Sequence, residues 1–277
     1  MDNLTKLKEA ILKEYPRLTE NDRFSFECGP HLECFNACCA DVNIFLTPYD
    51  VLRLRRALGL GSTEFLARHT IIPFDKNQKL PVPLLLMNDS AKKECSFVDA
   101  DKGCTIYADR PWPCRMYPLG MASPGEFAEP GLEPFYFIMR DDVCGGLART
   151  REWTVREWLE DQGIPAYEEF GELFKGVTLH QALGKGWTPN EKQIDLYWIS
   201  LYDLDTFRRF IFESSFLDRF ILDEATIKSL QNDDEALLRF GFNWVKMALF
   251  GERTIPIRSE AEAKIRASQS PEPANNG

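Results

Sequence analysis

Cysteines stand at positions 28, 34, 38, 39, 95, 104, 114 and 144, and none follows in the rest of the 277-residue chain. Seven of them fall within residues 28–114, about 8% of that segment, a density that small apolar filler does not explain. The first group runs C-x5-C-x3-C-C (Cys28, Cys34, Cys38, Cys39) and the second C-x8-C-x9-C (Cys95, Cys104, Cys114), with Cys144 further on. Disulfides need an oxidising compartment, and the adjacent pair Cys38–Cys39 would close only a strained ring. Buried, unliganded thiols would sit in apolar sequence, whereas these are flanked by Glu33, Asn36, Asp41, Lys92, Lys93, Asp99, Asp101 and Lys102. Metal ligation is the favoured reading, because thiolates converging from separate loops repel one another and are held together by a cation that neutralises them. The ligand pool is therefore Cys28, Cys34, Cys38, Cys39, Cys95, Cys104, Cys114 and Cys144. Structural zinc sites use C-x2–4-C knuckles, and no C-x2-C occurs here. Iron–sulfur clusters accept wider spacings, so the pattern leans to an iron–sulfur cluster, 4Fe-4S in kind, with zinc as the alternative. The apportioning of eight cysteines between one centre and two stays open.

Other candidate groups carry less. Arg110 and Arg115 bracket Cys114 in DRPWPCRMYP, where Pro111, Pro113 and Pro118 stiffen the loop. They read either as cationic neighbours that offset thiolate charge or as ordinary surface charges. His31 lies between two cysteines, but a single loop histidine is more often exposed and uninvolved. His69 and His180 have no Cys or carboxylate partner close in sequence, and neither HExxH nor a Ser/His/Asp arrangement supports hydrolysis. Gly59-x-Gly61 lacks the third glycine of a dinucleotide fingerprint and reads as the end of a helix. FRRF (207–210) reads as a solvated edge.

The elements that must position the cysteines are short. TPYDVLRLRRALGL (47–60) starts as a helix, with Thr47 as N-cap and Pro48 at the first position, and STEFLARHT (62–70) repeats the pattern with Ser62 as cap. LPVPLLLM (80–87) and EPFYFIMR (133–140) read as strands. Beyond residue 151 the pattern turns helical: Thr154 and Glu157 form a capping box, and PAYEEFGELFKGV, EKQIDLYWISLYDLDTFRRFIFESSFLDRF and DDEALLRFGFNWVKMALF carry apolar residues at helical spacing. The aromatics of this half, Trp153, Trp158, Trp187, Trp198, Phe207, Phe216, Phe242 and Trp244 among them, are expected to form its core. The fold class is α+β and helix-dominant: a cysteine-rich N-terminal module of loops, short helices and a few strands (1–150) packed on a helical region (151–257), with a disordered tail at 258–277.

Composition limits the partners. A net charge of −10 and a pI near 5.0 leave no general attraction to nucleic acid or to anionic lipid. MDNLTKLKEAILKEY is an amphipathic helical pattern with Leu4, Leu7, Ile11 and Leu12 on one face, without the apolar core of a secretory signal. It reads as the start of a cytoplasmic protein. No window approaches the ~18 apolar residues of a membrane span. A protein substrate or partner is the remaining expectation.

FECGPHLECFNACCADVNIFLTPYDVLRL, followed by ECSFVDADKGCTIYADRPWPCRMYPL, resembles the YkgJ-type cysteine-cluster family, a zinc- or iron-chelating domain. The resemblance covers roughly residues 24–145. It rests on the Cys38–Cys39 doublet, Thr47-Pro48-Tyr49-Asp50, the Cys95 and Cys104 pair, Ile106-Tyr107 and Arg110-Pro111-x-x-Cys114-Arg115, although the opening is wider than the family's compact C-x-x-C-x-x-C-C. Because that family includes flagellin lysine methylases with an iron–sulfur centre, the resemblance also implies an S-adenosylmethionine-dependent protein lysine methylase as an alternative to a plain metal binder. A third alternative is an interaction adaptor stapled by zinc.

Overall fold

The computed structural model describes residues 16–73, 78–122, 134–139 and 144–259. The amphipathic segment at the N-terminus and most of the expected tail lie outside the described residues. Two compact units divide the chain: Met1–Gly59, His69–Pro73 and Val82–Glu172 make the first, and Leu60–Arg68, Phe74–Pro81 and Leu173–Gly277 the second. The fold is α+β and helix-dominant, as the sequence patterning predicts, with small two-stranded sheets in the cysteine-containing region and a helical C-terminal region.

The first unit is built from antiparallel strand pairs and short helices. Arg23–Ser25 pairs with Glu152–Thr154, Thr70–Ile71 with Leu84–Leu85, Val98–Asp99 with Gly103–Cys104, and Leu119–Ala122 with Phe135–Ile138. Helix Pro48–Leu58 starts where Thr47 and Pro48 place it. The Thr47 hydroxyl accepts from the Asp50 N–H, the Asp50 carboxylate accepts in return from the Thr47 N–H, and Gly59 ends the helix at φ 65°. Glycine adopts that left-handed conformation without the penalty a Cβ would bring. The Thr154/Glu157 capping box is also present and opens helix Val155–Asp161. Beneath the strands lies a core of Phe24, Phe26, Met116, Leu119, Tyr136, Val155, Trp158, Leu159 and Ile164. Trp158 meets Phe26 edge-on at 5.3 Å and Trp153 at 5.3 Å. Trp153 and Trp158 therefore pack beneath the cysteine-bearing loops, which corrects their assignment to the core of the helical half. Strand pairing of Phe24 with Trp153 draws them there.

The second unit is helical: Gln181–Gly184, Glu191–Leu201, Leu204–Glu213, Phe216–Arg219, Glu224–Asn232 and Asp234–Phe250. Tyr197, Phe207, Leu237 and Phe242 are fully enclosed and Phe216 and Trp244 are buried, so these aromatics do form a core, whereas Trp187 and Trp198 are only half-buried. Helix Asp234–Phe250 crosses Glu191–Leu201 so closely that a Cβ on Gly241 would lie 2.3 Å from the Ser200 carbonyl oxygen. Ser62 does not cap its own helix. It sits inside Ser62–His69, and its hydroxyl donates to Asp203 at 2.5 Å and accepts from the Asp205 N–H at 2.9 Å, because the buried Asp203 must find donors while the Ser62 N–H has its acceptor in the Asp205 carboxylate at 2.7 Å. Arg208 in FRRF is also not a free edge: it pairs with Asp234 at 2.5 Å. Among the described residues no helix is long and apolar enough to cross a membrane.

Candidate metal centre

The loop after strand Arg23–Ser25 brings Cys28 beside the segment that carries Cys144. The Phe26 N–H donates to the Arg151 carbonyl at 2.9 Å and the Glu27 N–H to the Gly146 carbonyl at 3.2 Å. A side chain at position 146 would meet the Glu27 carbonyl oxygen at 2.5 Å, so only glycine permits this approach. The neighbouring Gly145 N–H donates to the Cys34 Sγ at 3.3 Å. Cys38 sits on a single 3-10 turn, Ala37–Cys39, preceded by Asn36 at φ 68°. Asparagine tolerates that conformation, and here its amide also donates to the Asp99 carbonyl at 3.1 Å. Cys28, Cys34, Cys38 and Cys144 thus line one recess, together with Phe26, Glu27, Leu32, Ala37, Tyr117 and Gly146; its empty volume, including the solvent mouth, is about 350 Å³.

The other four cysteines gather elsewhere in the same unit. The Cys95 N–H donates to the Cys39 carbonyl at 2.7 Å. Cys104 lies on the strand paired with Val98–Asp99, in register with Val98, whose own N–H donates to the Cys95 carbonyl at 3.1 Å. Cys114 rides on helix Trp112–Met116. That helix is fixed by Asp50, which is fully buried and accepts from the Trp112 N–H at 2.7 Å while also holding both donors of Thr47.

Crowding shows in the proton affinities. Burial, followed by the neighbouring charges of Cys38, Cys144 and Cys34, pushes the Cys28 thiol up to about 11. A hydrogen bond with Cys38, burial, and the charges of Cys38, Cys114 and Cys95 push Cys39 far above the ordinary thiol range. Burial, then Cys95, Asp50 and Cys104, raise Cys114 to about 12, against the opposing charge of Arg110. Cys95 is raised by burial and by Cys104, and Cys104 by burial against the Ile106 N–H and Arg110. In each neighbourhood the thiolates oppose one another's ionisation, and a bound cation reverses that sign.

No disulfide joins any of the eight cysteines, and none is fully buried, which sets aside the reading of them as core filler. Among the described residues no three Cys, His, Asp or Glu side chains already converge on a point where an ion would sit; the thiols are gathered but not closed into a cage. As a donor set, thiols suit zinc and iron, both of which take thiolate ligands.

Arg110 and Arg115 are not surface charges, since they are 7% and 6% exposed. Arg115 donates to the carbonyls of Arg110 (2.9 Å), Gln162 (2.7 Å) and Ala108. Arg110 donates to the Tyr107 carbonyl at 2.6 Å and to Gln162, and stacks over the Tyr107 ring at 3.7 Å. Its charge also reaches Cys104 and Cys114. His31 is exposed and pairs with Glu27 at 3.2 Å, and His180 with Glu252 at 3.1 Å. Sequence reasoning missed Asp50 as the residue that anchors Cys114. Its place three residues after Thr47 marks it as a capping partner, but nothing local signals its second bond to Trp112.

The comparison with known families falls on this same span. Residues 27–145 match CxxCxxCC, a putative zinc- or iron-chelating domain. The CxxCxxCC domain begins one residue before Cys28 and ends one after Cys144, so it takes in every cysteine of the chain. The spacing within it is wider than its name describes, yet Cys28, Cys34 and Cys38 all reach the same recess. No curated protein and no solved structure gives a significant match to the chain.

Proposed function

We propose that the chain is a metal-binding protein whose CxxCxxCC domain holds an iron–sulfur cluster through cysteine thiolates, the eight cysteines being the ligand pool. The observation that carries this reading is the recess lined by Cys28, Cys34, Cys38 and Cys144, four thiols from two stretches of chain far apart in sequence. Its thiols gain nothing from proximity unless a cation joins them: burial, and then the charges of the very neighbours that would become its co-ligands, oppose ionisation of Cys28. Wide spacing without a C-x2-C knuckle supports a body larger than a single ion, around which loops wrap.

Anaerobic purification followed by iron, zinc and acid-labile sulfide analysis tests the assignment. Iron and sulfide in near-equal amounts with a broad visible absorption are expected. Zinc without sulfide would make the protein a zinc binder. Less than ~0.5 metal per chain, with all thiols freely titratable in the native protein, would remove the metal reading altogether.

A further inference from the structure

We propose that residues 28–144 hold two separate metal centres, one on Cys28, Cys34, Cys38 and Cys144 and the other on Cys39, Cys95, Cys104 and Cys114, with the Cys38–Cys39 doublet giving one thiolate to each. The proposal rests on metal binding as proposed above and adds the partition of the ligands.

Three observations support it. The recess takes in Cys38 but not Cys39, and none of Cys95, Cys104 and Cys114 lines it. Cys39 is tied by its own backbone to the other group, through the 2.7 Å bond from the Cys95 N–H and the adjoining pairing of Ala40 with Glu94. Cys95 and Cys104 then belong to one hairpin, since Val98 bonds back to Cys95 and pairs across to Cys104. Four thiols per group also match what each tetrahedral zinc or each four-iron cluster requires.

Each centre forms with a simple balance. Four thiols and one Zn²⁺ give a tetrathiolate complex and release the thiol protons to solvent, with no change of oxidation state.

The test uses the full-length, reduced, metal-free chain and Zn²⁺ alone as the probe. Titration is expected to saturate at about two ions per chain, with all eight cysteines then protected from iodoacetamide, as mapped by mass spectrometry. The variants Cys28→Ser/Cys144→Ser and Cys95→Ser/Cys104→Ser should each keep about half of the zinc, with protection retained at the cysteines of the untouched group. Saturation at about one ion with four cysteines still alkylated would overturn the partition while leaving metal binding intact. So would loss of all zinc from either double variant whose circular dichroism matches wild type. Because the wild-type stoichiometry and alkylation map need no substitution, a variant that fails to fold does not blunt the test. Absence of any zinc, iron or sulfide would instead remove the proposed function itself.

Discussion

Replacing Asp50 by Ala isolates the contribution of one buried carboxylate to the placement of Cys114. Asp50 accepts from the Trp112 N–H at 2.7 Å, the Thr47 N–H at 2.8 Å and the Thr47 hydroxyl at 2.7 Å, with no exposure to solvent. Alanine leaves the Trp112 N–H without its acceptor, a loss of about 1–3 kcal/mol for a desolvated donor. Removal of the capping box adds about 1 kcal/mol, so the region should lose about 2–4 kcal/mol, a large share of a margin of about 5–15 kcal/mol. Since the chain has two compact units, global unfolding is a poor readout, and hydrogen exchange read by mass spectrometry over residues 110–116 is the better assay. At about 1.4 kcal/mol per factor of ten, the amides of this segment should exchange about 30- to 700-fold faster, with helix Asp234–Phe250 unchanged. Asp50→Asn keeps one acceptor oxygen and should give a smaller effect. A change below about threefold in the Ala variant would refute the idea that Asp50 anchors the Cys114 helix.

Gly146→Ala should push the Cys144 segment away from the Cys28 loop, because the new Cβ would lie 2.5 Å from the Glu27 carbonyl; a loss of about 1–3 kcal/mol and reduced metal content are expected by denaturation and elemental analysis. Gly241→Ala, whose Cβ would be 2.3 Å from the Ser200 carbonyl in the second unit, should destabilise its helices while leaving metal content unchanged, and equal metal loss in both variants would contradict the reasoning. Chelation should make residues 28–144 protease-sensitive before the helices at 191–250, since bound metal contributes on the order of 10 kcal/mol in small sites; limited proteolysis with and without chelator checks the order of cleavage.

What the sequence made legible is what local rules decide. Thr47, Pro48 and Gly59 bound one helix, and Thr154 with Glu157 opens another, because each bond closes within a few residues. The density of cysteine marked out the same span that the family match covers. What stayed hidden depends on pairings across the chain. The Gly145–Cys34 contact joins residues 111 apart, and the Ser62 hydroxyl reaches Asp203 over 141, so a serine that reads locally as a cap is drawn elsewhere. Arg110 and Arg115 sit in a polar, proline-rich stretch that looks like surface, yet Gln162, 52 and 47 positions away, gives both a buried partner.

The distribution of positive charge argues for a metal independently of spacing. Four thiols around one recess could in principle be ionised by nearby guanidinium or ammonium groups, as reactive cysteines are. At Cys28 the opposing influence is a hydrogen bond from the Gly29 N–H, outweighed by burial, and His31, the nearest basic side chain in sequence, is engaged by Glu27. Arg115 directs its donors to three backbone carbonyls, which positions the loop and leaves the thiols uncompensated. Arg110 reaches Cys104 and Cys114, where burial still prevails. At Cys28, Cys39, Cys95, Cys104 and Cys114 the protein therefore crowds thiols whose ionisation their surroundings oppose. A proton satisfies each of them singly, but a proton gives no reason to bring them together, whereas a metal that replaces several protons at once makes the gathering itself a source of stability.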